Sequence, residues 1–211
     1  MKLFLQAACL LAVASVNAAT VVNQTASAGS NALTTQLQTI YSPTSSPEWR
    51  LNSLVYSGLA TASWQGSALT QNDLHASDFT VTFWRDWNAT SRVGDVVTAS
   101  SVGTLTNQGS GGGASQRFAL TFDLSSANIV YQSGFSNPIH FSIQTSLPSV
   151  WSVGGNLTSN SNLTGWTQDD SMKKTMTMTA SAIPEPSTYG LALGALALCA
   201  VGIRRRRKVA A

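Results

Sequence analysis

The 211-residue sequence predicts an all-β protein: an antiparallel β-sandwich, jelly-roll-like, with a cleaved N-terminal signal peptide and one C-terminal transmembrane helix. Three observations carry this. Several middle stretches alternate apolar and polar residues with period two, the signature of a strand with one buried face. Between them lie turns rich in Gly, Ser, Asn and Pro, with no long segment of helical period. Each end of the chain, by contrast, holds an apolar run beside positive charge.

At the N-terminus, Lys2 supplies a positive start and Leu3 to Val16 form an apolar core broken only by Gln6 and Ser15. Val16-Asn17-Ala18 then places small or compact residues where a signal peptidase reads. Residues 1–18 are therefore a signal peptide, passed to the Sec translocon and cut after Ala18. The run falls short of the ~20 residues that a span requires, which argues against an uncleaved anchor. Cys9 does not mark a lipoprotein, because Gln6 stands where an apolar residue is expected.

Residues 19–180 form the secreted domain, large enough for one real core. Its clearest strands carry Phe79, Val81 and Phe83; then Phe118, Leu120, Phe122 and Leu124; then Ile139, Phe141 and Ile143. A last strand alternates Met172, Lys174, Met176, Met178 and Ala180 with Lys173 and threonines. Weaker strands are expected at Leu54 to Ala60, Val93 to Ala99 and Asn128 to Tyr131. Ser27 to Thr39 and Ser42 to Pro47 read as polar, mobile or edge segments. The two cysteines, Cys9 and Cys199, lie in the leader and the tail, so packing alone must hold the domain.

Charge is distributed unevenly. The formal net charge is +3, yet residues 19–183 hold six basic and eight acidic side chains while Arg204 to Lys208 are five consecutive cations. The domain is slightly acidic and offers no basic patch to nucleic acid.

Few residues suggest chemistry. Gly109 to Gly113 is followed by Ala114, Ser115 and Gln116 instead of the Lys-Ser/Thr pair of a phosphate cradle, so it reads as a loop. His75 lies between Asp73 and Asp78 without a recognised metal-ligand spacing, and His140 falls on the polar face of its strand, where solvation is the default. No metal and no cofactor is expected. Asp86, Asp95 and Asp123 are carboxylates that a glycoside hydrolase would need in pairs, but no local motif marks them. A better rival is sugar binding. In the stretch FTVTFWRDWNAT a regular strand points Trp84 away from the core, close to Asp86, Trp87 and Asn88, an aromatic platform beside hydrogen-bonding groups. The alternative packs Trp84 under a loop or against an edge strand. The Asn-x-Ser/Thr triplets at Asn23, Asn88, Asn156 and Asn162 are expected by chance in a chain so rich in Ser and Thr.

The last thirty-one residues, 181–211, are organised differently. Pro184 and Pro186 remove two backbone donors and hold Ile183 and Glu185 extended, so this step stays accessible. Ser187 to Ile203 has no charged side chain and as a helix reaches ~25 Å, a marginal span of a ~30 Å hydrocarbon core. Tyr189 suits the interface, and Arg204, Arg205, Arg206, Arg207 and Lys208 hold the C-terminus in the cytoplasm. Gly190 and Gly194 make a G-x-x-x-G pair, a pattern that chance explains as well as helix pairing.

Pro184, Glu185, Pro186, Ser187, Thr188 and Tyr189, then a Gly/Ala/Leu helix, then Arg204 to Arg207, resemble the PEP-CTERM sorting signal of Gram-negative bacteria. The resemblance implies recognition by exosortase, a membrane-embedded cysteine transpeptidase-like enzyme, then release to the cell surface or an exopolysaccharide matrix. It implies no activity for the domain. The reading of the whole chain is a non-enzymatic surface or matrix protein, first tethered with its domain in the periplasm. The alternatives are a carbohydrate-binding module associated with exopolysaccharide and, behind it, an extracellular hydrolase.

Overall fold

The computed structural model of the chain describes residues 18–26, 30–32, 37–43, 47–62, 69–107, 115–132, 138–147, 150–153, 156–168 and 174–184. Residues 1–17 of the segment read as a signal peptide, the glycine run 109–113, Glu185 and Pro186, the apolar stretch 187–203 and the basic residues after it lie outside these. Among the described residues there is no α-helix, and no helix is long and apolar enough to cross a membrane.

The described strands, in chain order, are β1 (Ala19–Ala26), β2 (Ser30–Ala32), β3 (Gln38–Tyr41), β4 (Glu48–Ala62) and β5 (Phe79–Trp84). They continue with β6 (Arg92–Thr98), β7 (Ser101–Val102), β8 (Thr106–Asn107), β9 (Ser115–Asp123) and β10 (Val130–Tyr131). The last are β11 (Ile139–Thr145), β12 (Val150–Val153), β13 (Leu157–Asn160), β14 (Thr167–Gln168) and β15 (Met176–Ile183). They form two antiparallel sheets. The larger runs β13-β1-β15-β4-β12-β2, with β9 and β10 also on β4 and with β7 and β8 on β9; the smaller runs β14-β3-β11-β5-β6. These sheets of ten and five strands are more unequal than the eight strands that a jelly roll divides between two sheets.

The period-two stripes build the core as the sequence predicts. Phe79, Val81 and Phe83 on β5, Phe118, Leu120 and Phe122 on β9, and Ile139, Phe141 and Ile143 on β11 are all buried in one cluster with Met176, Met178 and Ala180 of β15. Aromatic contacts join the two sheets. Tyr56 of β4 meets Phe141 edge-on at 6.1 Å, and Phe79 meets Phe118 at 5.6 Å. Long β4 is the spine. It pairs with β9, β10, β12 and β15, and register shifts against β9 and β15 let its fifteen residues bend with the twisted sheet.

Three expectations change. The segment read as polar, mobile or edge through Thr39 ends in β3, an interior strand of the smaller sheet on which Gln38 and Thr39 are buried. The reason is a buried amide chain. Gln168 of β14 donates from Nε2 to Gln38 Oε1 at 2.8 Å, and Gln24 of β1 donates to Gln168 Oε1 and to the carbonyl of Lys174. These bonds replace water at the amide nitrogens and link one sheet to the other, while Gln24 Oε1 is buried with no partner among the described residues. Second, the last strand starts at Met176 and continues to Ile183, three residues past Ala180, where the apolar stripe ends. Third, His140 is 6% exposed, so it is not a solvated face residue.

Candidate functional site

The chain leaves the larger sheet from an inner position. On one side of β15, Ala180 lies opposite Ala19 of β1; on the other, Ala180, Ser181, Ala182 and Ile183 lie opposite Leu51, Arg50, Trp49 and Glu48 of β4. Pro184 follows at once and, lacking an N–H, cannot extend the ladder. The Pro184-Glu185-Pro186 step therefore begins where the last strand ends, with no intervening linker. Ala19 starts β1 at the same end of the fold, on the strand next to β15 and opposite Ala180.

Under this exit lies an aromatic cluster. Trp49 pairs across the ladder with Tyr131 of β10, and Trp166, just before β14, meets Trp49 edge-on at 5.9 Å and Tyr131 at 5.0 Å. Among the described residues, the indole N–H groups of Trp49 and Trp166 and the Tyr131 hydroxyl have no hydrogen-bond partner. Burial pushes the Tyr131 phenol far above its ordinary range, against a smaller opposing effect of the Arg85 charge. It stays neutral at any physiological pH.

The β5–β6 connection stands at this same end, because Trp84 closes β5 opposite His140 and Arg92 opens β6. Trp84 points to the outer face, but it is half-buried and its Nε1 donates to Ser142 Oγ at 3.2 Å. Asp86 closes the loop. Its carboxylate accepts from the Thr90 hydroxyl at 2.5 Å, from the Ser91 N–H at 2.5 Å and from the Thr90 N–H at 3.1 Å. Those bonds, led by the Thr90 hydroxyl, hold its pKa below the ordinary aspartate value. Trp87 is 62% exposed, with its ring edge-on to His140 at 5.3 Å, and Asn88 beside it is exposed. His140 is bonded through Nδ1 to Thr39 Oγ1 at 3.0 Å; burial lowers its pKa and Asp86 opposes the shift.

The four residues of the expected platform are thus brought together in two roles. Trp84 and Asp86 shape the loop from within, while Trp87 and Asn88 meet solvent. Sequence reasoning put Trp84 foremost because it followed strand alternation; the cue for Trp87 was its place in a turn closed by the Asp86 and Thr90 pair.

Elsewhere the candidate groups have local duties. Asp73 accepts from the Thr70 N–H and hydroxyl, both at 2.7 Å, and Asp78 accepts from the His75 N–H at 3.0 Å, each closing a 3-10 turn. Asp123 likewise accepts from Ser125 Oγ at 2.6 Å, a bond that lowers its pKa. Among the described residues no three His, Cys, Asp or Glu side chains are placed to hold a metal ion.

The family model of the PEP-CTERM protein-sorting motif matches residues 182–208. Its first two positions, Ala182 and Ile183, are the last two of β15. No curated protein and no solved structure matches the chain.

Proposed function

We propose that this chain, which carries a PEP-CTERM sorting motif, is a non-enzymatic exported β-sandwich protein of the cell surface or extracellular matrix. The motif itself supports exosortase-dependent sorting of an exported protein. In the full reading, the Sec translocon and signal peptidase deliver the domain to the periplasm, residues 187–203 tether it to the inner membrane, and exosortase cuts near Pro186 and releases it outward.

The observation that carries this reading is continuity. An inner strand of the larger sheet runs directly into the matched motif. A cut after Ile183 leaves that sheet whole, so the released product keeps its fold. Asp86 and Asp123 are each engaged by a neighbouring Thr or Ser hydroxyl and held below the ordinary range, which argues against either as the general acid of a glycoside hydrolase.

A carbohydrate-binding role remains the second reading, favoured by the exposed Trp87 ring with Asn88 beside it. Surface proteolysis of intact host cells tests the first. The domain should be degraded by added protease in cells with exosortase and protected in cells without it; protection in both would overturn surface delivery.

A further inference from the structure

Three features that the sorting role does not require meet at one end of the fold. The first is the exit of β15. Only Pro184, Glu185 and Pro186 separate Ile183 from the uncharged stretch that begins at Ser187, and three extended residues reach about 10 Å. The headgroup layer of one leaflet is roughly 5–8 Å deep. If residues 187–203 span the membrane, as the proposed function holds, this end of the domain rests at the headgroups.

The second feature is a pair of exposed apolar side chains at that end. The contacts that place their segments there run through the core: Ala182 opposite Trp49, Trp49 against Trp166, Thr167 opposite Tyr41, Ile40 opposite Ile139, and His140 against Trp87; Trp166, Ile40, Ile139 and His140 are themselves buried. Trp87 is exposed on the loop that extends past the end of β5. Leu163 adds an apolar side chain, 38% exposed, on a segment whose N–H donates to the Val21 carbonyl, near the start of β1.

The third feature is charge. Residues 19–183 are net acidic, yet three of their four arginines are here: Arg50 opposite Ser181, Arg85 after β5, and Arg92 opposite Trp84. Arg50 and Arg92 are exposed. Among the described residues the acids at this end are Glu48 and Asp86, and Glu185 follows in the sequence; Asp86 keeps its negative charge while accepting from Thr90 and Ser91, so the arginines offer local phosphate donors without a net positive charge. Arginine donors suit lipid phosphates, and a half-wet indole suits the interface between headgroup and acyl chain.

We propose that this end is a lipid-docking surface: while tethered, the domain stands on phospholipid headgroups, with Trp87 in the interface and Arg50, Arg85 and Arg92 facing phosphate. The proposal rests on the reading of 187–203 as a span. Docking would hold the Pro184-Glu185-Pro186 step at the membrane surface, where a membrane-embedded processing enzyme works.

The test uses the mature chain from Ala19 to Ala211 in a Cys199→Ser background, reconstituted in vesicles of phosphatidylethanolamine and phosphatidylglycerol. An environment-sensitive fluorophore is placed at Asn88→Cys and, in a second sample, at Gln144→Cys, an exposed site of β11 far from the exit. The label at 88 should shift to the blue and be quenched by headgroup-nitroxide lipid, the label at 144 should not, and Trp87→Ser should at least halve the quenching at 88. A parallel chain carries a flexible Gly/Ser spacer of about 15 residues, reaching ~20 Å, between Ile183 and Pro184.

Quenching at 88 that survives the spacer and falls with Trp87→Ser supports a surface with its own lipid affinity. Quenching lost with the spacer, or equal at 88 and 144, overturns docking. So does a label at 88 that is shielded by added host exopolysaccharide and not by vesicles, an outcome that assigns Trp87 to sugar. Trypsin added outside the vesicles separates the two premises: if it removes Arg204 to Lys208 in every vesicle, the spanning reading has failed, and docking with it.

Discussion

The Tyr131 hydroxyl is buried without a partner among the described residues, next to two indole N–H groups in the same condition. An unpaired buried polar group costs stability that an apolar replacement of the same shape recovers. Tyr131→Phe keeps the ring against Trp166 and is expected to stabilise the fold by about 1 kcal/mol, read as a higher urea midpoint at unchanged slope. His140 predicts a pH dependence. Its folded pKa lies below the reference value of 6.5, so between the two values the unfolded chain binds a proton that the folded chain refuses. Stability from this residue is full above about pH 6.5 and falls as the pH drops below it; His140→Gln should flatten that slope in urea midpoints taken from neutral to mildly acidic pH. At this scale the sequence was a partial guide. Alternation located His140 and Trp84 on the outer face, but it could not show that Thr39 and Ser142, distant in the chain, would supply their hydrogen bonds.

Strands test the account through backbone geometry and shared polar groups. Gly94 on β6 has φ +70°, and a Cβ there would lie 2.3 Å from the Ala127 carbonyl oxygen and 2.8 Å from Ile129. Gly94→Ala is therefore expected to cost well over 1 kcal/mol, by strain and collision together. Gln168 ties β14 to β3 and β1, so Gln168→Leu strands the amides of Gln24 and Gln38 in the core and should cost about 1–3 kcal/mol, measured by denaturant unfolding. Phe141, wholly buried between Tyr56 and Phe83, should cost about 3–5 kcal/mol as Phe141→Ala. The strands around Phe79, Phe118 and Phe141 were legible because each carries its burial in its own alternation. Strands β3 and β14 were not, because their inward residues include Gln38 and Gln168, whose burial depends on partners far away in sequence. The end of β15 was misplaced for a similar reason: Ser181 and Ala182 look like linker, and only the β4 residues opposite them extend the strand.

For the whole molecule, the larger sheet brings Ala19 and Ile183 to one end, and the matched sorting motif starts inside that last strand. The motif was legible because its order of prolines, apolar stretch and cations is local. The setting of Trp87 was not, because its loop meets His140 of β11, far away in sequence. One measurement tests the central claim most directly: the intact mass of the protein from its native host, with and without exosortase. The account predicts a chain beginning at Ala19 and ending near Pro186 when the enzyme is present, and one extending to Ala211 when it is absent. A tail retained to Ala211 in both would contradict it, leaving a permanently anchored protein that faces the periplasm.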